Sequence, residues 1–178
     1  CIVVSKYKTM EPVVGDIARL NSVSNGRAYL GLAAGSWLDR VGLKSATVDQ
    51  VREAAAVSRY LLEKRENGFN GKHYQIKPGF KVNYSTPESK VPILIGAWGE
   101  RMAALAGEIA DEIKVGGSAN PHMVEVIQER LDVGIDQAGR SREDVGIVMG
   151  AVTVVDEDRA KALYFARRRA VVYIDVIG

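Results

Sequence analysis

The stretch VPILIGAWGERMAALAGEIADEIKVGG, residues Val91 to Gly117, decides the fold. Its apolar opening is typical of a buried strand that ends at Gly96, and Gly99 then begins a helix with a regular apolar face. A second brief strand follows over residues 112–115. Strand, tight turn, helix and strand in this order predict a βα unit of a parallel sheet.

The same alternation continues towards the N-terminus. Cys1–Ser5 is predicted to be the end of a strand, and Pro12 suits the first turn of the helix that follows. Ala28–Ala33 is a short apolar strand in which Gly31 indicates either close approach of another backbone or a tight bend. Thr47, with Gln50 three residues later, has the form of a capping box and predicts the most regular helix of the chain.

Towards the C-terminus the pattern predicts one helix, one strand and a final helix. Asn120-Pro121 is predicted to begin the first of these helices and Gly139 to end it. Val145–Val155 is β-branched and apolar, and Asp156 is expected to cap the final helix. The residues expected on the buried side of that helix are Leu163, Val171 and Ile174. An excursion over residues 68–90 is rich in turn formers and predicts one hairpin.

About five strands thus alternate with helices, in one partial barrel domain that spans residues 1–178. Two α/β architectures accept this pattern, the open doubly wound sheet and the closed eight-stranded barrel. Periodicity alone does not choose between them.

Composition limits the kind of protein. Of 178 residues, 47% are hydrophobic and 26% are charged, which excludes a disordered chain. A formal net charge of +2 argues against a nucleic-acid partner. Cys1 is the only cysteine, so no internal disulfide forms, and no apolar run is long enough to span a bilayer. We expect a soluble, cytoplasmic protein that does not bind membranes, and a chain whose true beginning precedes Cys1.

The turn from Gly96 to Gly99 is the first candidate site. Unpaired N–H groups at a helix N-terminus favour a phosphate, the two glycines leave room for it, and Arg101 adds a positive charge. Gly116 and Gly117 are expected to form the neighbouring wall. The alternative is that these glycines only allow tight turns.

The second candidate is NGRAYLGLAAGSW, residues 25–37. Ser36 and Trp37 are placed to touch a ring system if this loop lies at the catalytic end of a barrel. The alternative is that Trp37 is a packing anchor and Ser36 a turn residue. His73 and His122 lack acidic or thiol partners at ligand spacing, so no metal site is expected.

Taken together, the segments at residues 24–35, 68–76 and 91–117 resemble the bacterial-luciferase-like superfamily. The central motif is a strand followed by GAxG-x-x-M-x-x-L-A-G-E-x-A-D. Within the superfamily the chain is most similar to the coenzyme F420-dependent reductases of methylenetetrahydromethanopterin.

This resemblance implies a (β/α)8 TIM barrel that holds a reduced deazaflavin, with hydride passed to a tetrahydropterin C1 carrier. Catalytic side chains are not identified. The cofactor-binding residues that it implies are Val3, Val4, Ser5, Ser36, Gly96, Ala97, Trp98, Gly99, Glu100, Arg101, Gly116, Gly117 and Ser118.

The chain also departs from the family. Ile2 stands near a position where a small glycine is usual, and Ser36 stands where an acidic residue is common. The resemblance covers only the third to seventh barrel strands, which leaves two open edges. This predicts that the chain is a fragment of a longer one, the favoured interpretation, or that the remainder comes from another polypeptide or from a second copy in a homo-oligomer. Two alternatives stay open, an FMN-dependent luciferase-like monooxygenase and a truncated, non-catalytic homologue that binds or assembles with an intact relative.

Overall fold

The computed structural model describes residues 1–36, 38–84 and 89–177, and it has a parallel sheet with helices between its strands. The strands of the main sheet are β1 (Ile2–Val3), β2 (Leu30–Ala33), β5 (Ile93–Gly96), β6 (Glu112–Gly116) and β7 (Gly146–Gly150). The helices are α1 (Glu11–Val23), α2 (Val48–Leu62), α3 (Glu100–Ile109), α4 (His122–Ala138) and α5 (Arg159–Ile177). A separate antiparallel hairpin of β3 (Phe69–Asn70) and β4 (Gln75–Ile76) confirms the hairpin predicted within residues 68–90.

The strand order answers the question that periodicity leaves open. The five parallel strands follow one another as β1-β2-β5-β6-β7, without the reversal that defines a doubly wound sheet. The core is on one face of the sheet, where Leu32, Ile95 and Ile113 pack with residues of α1 to α4. In a (β/α) barrel, strands that follow one another in the chain are neighbours in the sheet, and the helices cover one face. The five strands have this arrangement and form an arc of such a barrel.

Local signals place most helix ends. The Thr47 hydroxyl accepts the Gln50 N–H at 3.2 Å, and the Gln50 side chain accepts the Thr47 N–H at 3.0 Å, so the capping box is confirmed. Gly139 ends α4 in the left-handed conformation, with φ of 62°. Asn120 accepts the His122 N–H, and α4 begins at His122, just after the predicted Asn120-Pro121 start.

The C-terminal predictions are wrong in two respects. Asp158, not Asp156, caps α5, because its carboxylate accepts the N–H groups of Ala160 and Lys161. Two residues expected on the buried side of α5 are not buried, since Leu163 is 47% and Val171 is 60% exposed. The side chain of Ile174 lies outside the described residues. The strand predicted over residues 145–155 is shorter and occupies only Gly146–Gly150.

Helices α3 and α4 pack unusually closely, because a glycine of each faces the other helix. A Cβ atom added to Gly134 would lie 1.7 Å from the Ala104 carbonyl oxygen, and one added to Gly107 would lie 2.1 Å from that of Leu131. Both distances are far below van der Waals contact, so only glycine fits at either position.

Asp111 joins several elements at the amino ends of the strands. Its carboxylate accepts the Ile93 N–H at 2.8 Å and an Arg59 N–H at 3.0 Å, and it also contacts the Lys90 ammonium. Its backbone carbonyl accepts the Gly146 N–H at 2.9 Å. One residue thus connects the starts of β5 and β7 to α2, and we call these contacts the Asp111 clamp.

Candidate functional site

The carboxyl ends of the five strands lie along one edge of the sheet, because all of its strands are parallel. In barrels of this kind, ligands bind at that edge. The turns that follow β5 and β6 carry most of the predicted site residues, and the residues after β1 and β2 carry the others. The predicted site therefore lies at one end of the molecule.

The face of the sheet opposite the helices carries several small residues together with Lys114 and Val148. Strand side chains alternate between faces, and register places Val3, Ala33, Gly96, Lys114 and Val148 in one row across the five strands. Gly116 and Gly150 pair in the next row towards the carboxyl ends. We call this surface the inner face.

Cys1 lies close to two glycines of the inner face. A Cβ atom added to Gly31 would lie 2.9 Å from the Cys1 sulfur, and one added to Gly96 would lie 3.2 Å from it. The close approach predicted at Gly31 is confirmed.

The turn after β5 is open where a phosphate would have to approach. A Cβ atom on Gly99 would meet no other atom within 4 Å, and Gly99 precedes α3 without a side-chain cap. The Ala97 N–H is already used, since it donates to the Lys114 carbonyl at 3.1 Å. The Trp98 carbonyl accepts a hydrogen bond of 2.6 Å from Arg130 of α4. The turn is thus anchored at two points and unobstructed at Gly99.

Glu100 and Arg101 point to a different surface. Both are exposed, and they line a groove between α3 and α4 together with Glu129 and Arg130. Their assignment to the cofactor stays a prediction.

The wall after β6 is partly covered. A Cβ atom on Gly116 would find open space, whereas one on Gly117, whose φ is 82°, would lie 2.3 Å from the Tyr173 ring. Ser118 forms an isolated bridge with Gly150, which brings this loop against the end of β7. Gly117 and Tyr173 also line a cavity of about 310 Å³ together with Arg169 of α5.

The residues after β1 and β2 differ in accessibility. Val4 is buried in a 3-10 turn that directly follows β1, whereas Ser5 is exposed. Ser36 is exposed and follows Gly35, whose carbonyl accepts the Ser45 hydroxyl. Trp37, predicted to contact a ring, lies outside the described residues.

A more enclosed cavity of about 200 Å³ lies elsewhere, between α2, the start of α1 and the hairpin. Its lining is mostly apolar and includes Met10, Leu61 and Phe80. It is outside the edge of the sheet where the strands end, and we assign it no ligand. Within the described residues no cluster of His, Cys, Asp or Glu could hold a metal ion, and no helix could cross a membrane.

An arc of parallel strands in chain order, with helices on one face, is the fold of part of an α/β barrel, and its open glycine turns lie at the carboxyl ends of the strands. The profile of the luciferase-like monooxygenase family matches residues 8–174. The chain belongs to this family.

Characterised relatives are similar over most of the chain. A 5,10-methylenetetrahydromethanopterin reductase of Archaeoglobus fulgidus is 34% identical over 154 residues, which are 85% of this chain and 45% of that protein. An F420-dependent glucose-6-phosphate dehydrogenase of Microbacterium testaceum is 31% identical over 82% of this chain and 45% of its own length. The chain thus spans about half the length of the curated relatives that it matches.

Solved structures share the fold. An F420-dependent secondary alcohol dehydrogenase, in complex with an F420-acetone adduct, superposes with a TM-score of 0.77 at 23% identity, over 94% of this chain and 52% of that one. The coenzyme F420-dependent tetrahydromethanopterin reductase of Methanopyrus kandleri gives 0.70 at 24% identity, over 87% and 49%. A monooxygenase of Streptomyces bottropensis gives 0.68 at 17% identity, over 98% and 56%.

Proposed function

We propose that this protein is a coenzyme F420-dependent oxidoreductase of the reductase type. It transfers a hydride between reduced F420 and a methylenetetrahydromethanopterin-like C1 carrier. Family membership and the F420-dependent relatives support the class of reaction. The observation that carries the proposal is the inner face, whose Ala33, Gly116 and Gly150 lie towards the end of the sheet where barrel enzymes bind ligands.

The residues present fit a planar tricyclic ring with an anionic tail. Ala33 and Gly116 keep the inner face low where a ring can lie, whereas the Cys1 sulfur covers Gly96. The open positions of Gly99 and Gly116 leave space for a phosphate beside main-chain N–H groups. A side chain at either open position would occupy that space. Trp98, held through its carbonyl by Arg130, fixes the turn between β5 and α3.

A bound deazaflavin supplies a two-electron hydride carrier. The protein's contribution is to hold the ring and the C1 carrier so that the donor and acceptor carbons are adjacent. The anchored turn after β5 and the loop after β6 limit how the ring can shift. Val3, which lies in the inner-face row, is proposed to support the ring from the β1 side together with the exposed Ser5, whereas Val4 is buried in the core and holds this segment in place.

Two substitutions that each add one methyl group test whether the open glycine positions, which we call the cradle, bind the phosphate of F420. Gly99→Ala and Gly116→Ala each place a methyl group in space that is now open, so we expect F420 to bind roughly tenfold more weakly or worse. The free energy of unfolding should change by less than about 1 kcal/mol, because neither methyl meets protein atoms. Ala56→Ser, at an exposed position of α2, is the control and should change neither quantity.

Binding is measured by titrating the intrinsic fluorescence of oxidised F420, and turnover by the rise in absorbance of the oxidised deazaflavin as reduced F420 gives up its hydride to the C1 carrier. Equal F420 affinity in wild type and both glycine variants would contradict the proposed cradle. Retention of FMN in place of F420 would instead favour the FMN-dependent monooxygenase, which the fold similarity to the Streptomyces bottropensis enzyme keeps as the second candidate.

A further inference from the structure

Lys114 is a charged residue in the middle of the inner face. Its neighbours in β6, Ile113 and Val115, are fully buried among the residues that pack against the helices. Because side chains alternate along a strand, Lys114 projects from the opposite side of the sheet.

Two of the residues nearest Lys114 are glycines. Register places Lys114 between Gly96 of β5 and Val148 of β7. A Cβ atom added to Gly150 would lie 3.0 Å from the Lys114 Nζ atom, so the ammonium lies over a position that has no side chain. Among residues 1–36, 38–84 and 89–177, no side chain or backbone group forms a hydrogen bond or ion pair with the Lys114 ammonium.

We infer that Lys114 binds an anionic oxygen of the ligand that lies on the inner face, an inference that rests on the proposed function. A ligand that covers this face removes water from the ammonium, and an ammonium without water is stable only beside an opposite charge. Gly150, over which Nζ lies, has no side chain that would keep a ligand oxygen away from the ammonium. The charge-assisted contact then fixes the position of the ligand along the strand ends.

Two parts of F420 can supply that oxygen, the conjugated oxygens of the ring system and the phosphate of the tail. Two probes distinguish them: intact F420, and its deazaflavin chromophore without the phosphate and glutamate tail. If Lys114 contacts the ring, its substitution weakens the binding of both probes. If it contacts the phosphate, only intact F420 is affected.

The variants are Lys114→Met, which keeps a long, unbranched side chain but removes the charge, and Lys114→Arg, which keeps the charge. Lys72→Met, at an exposed position of the hairpin, is the control for loss of one positive charge. We expect Lys114→Met to raise the Kd for F420 at least about tenfold at low salt, and Lys114→Arg to raise it by a smaller factor. The difference between Lys114→Met and wild type should shrink as salt is added, and Lys72→Met should bind like wild type.

A second measurement needs no variant and no turnover. Mild acetylation of the wild-type protein, followed by peptide mass spectrometry, reports the reactivity of the Lys114 amine with and without F420. We expect F420 to protect Lys114 and to leave Lys72 unprotected.

The outcomes are separable. If wild type binds F420 but Lys114 is not protected and Lys114→Met binds as tightly, the inference is overturned and the proposed function stands. If wild type binds no F420, the proposed function fails, and the inference fails with it. If Lys114→Met does not fold, protection of Lys114 in wild type decides alone.

Discussion

Removal of the Asp111 carboxylate should destabilise the protein strongly, although this residue is far along the strands from the ligand end. In Asp111→Ala the Ile93 N–H loses its 2.8 Å acceptor, and two cations, Arg59 and Lys90, lose their common partner. The carboxylate is mostly buried, with 19% of its side chain exposed. The backbone bond and the half-buried Arg59 contact should each contribute about 1 kcal/mol, and the exposed Lys90 contact should contribute less.

We therefore expect Asp111→Ala to lower the free energy of unfolding by about 2–3 kcal/mol, as measured by urea denaturation at neutral pH. The control is Asp16→Ala, which removes an exposed ion pair with Arg19 at 3.2 Å and should cost less than about 0.5 kcal/mol. Equal losses in the two variants would refute the argument that the Asp111 clamp holds the strands together.

The pH dependence gives a second check on the same residue. Burial raises the pKa of Asp111, but the Lys90 ammonium, the Ile93 N–H and the Arg59 guanidinium outweigh burial and hold the pKa below its ordinary value. A lowered pKa means that the carboxylate stabilises the fold above the unfolded-state pKa of about 4, and that this contribution is lost as the pH falls through the folded-state pKa. The stability difference between wild type and Asp111→Asn should therefore be full at pH 7 and should shrink in acid. A difference that is constant between neutral pH and about pH 3 would contradict this assignment.

Three further substitutions test other parts of the fold. Gly134→Ala should lower the unfolding midpoint by an amount equivalent to at least about 2 kcal/mol, because its methyl group would overlap the Ala104 carbonyl oxygen, and an unchanged midpoint would mean that α3 and α4 are not in close contact. Thr47→Ala should cost about 1 kcal/mol in urea denaturation by removing the cap of α2, and Thr47→Ser should restore most of it. Arg130→Met should release the Trp98 carbonyl and speed amide hydrogen exchange in the turn after β5, whereas Arg130→Lys should keep the exchange slow; equal rates in all three proteins would exclude this anchor.

The elements of the fold are largely predictable from the sequence because their boundaries depend on local chemistry. The Thr47 capping box and the left-handed Gly139 each act within a few residues of themselves. The final helix was predicted with the wrong exposure for a different reason. A periodic apolar pattern shows which side of a helix can be buried, but not whether a neighbour covers it, and Leu163 and Val171 are exposed.

The candidate site is less predictable, because it depends on contacts between distant strands. The glycine turns are recognisable from the sequence. The hydrogen bond from the Ala97 N–H to the Lys114 carbonyl is not, because it depends on the register between β5 and β6. Lys114 itself was missed. Its signal was the alternation in EIKVG, residues 112–116, where buried Ile113 and Val115 assign the residues between them to the other face.

The Asp111 clamp and the glycine turns lie at opposite ends of the same strands. Because of this separation, the stability of the scaffold and the shape of the ligand end can change independently during evolution. Substitutions in the turns can change the surface at the carboxyl ends while leaving the scaffold intact, and substitutions around the clamp can raise heat tolerance without reaching that surface. A laboratory attempt to give this chain a new ligand should therefore diversify one end and reinforce the other.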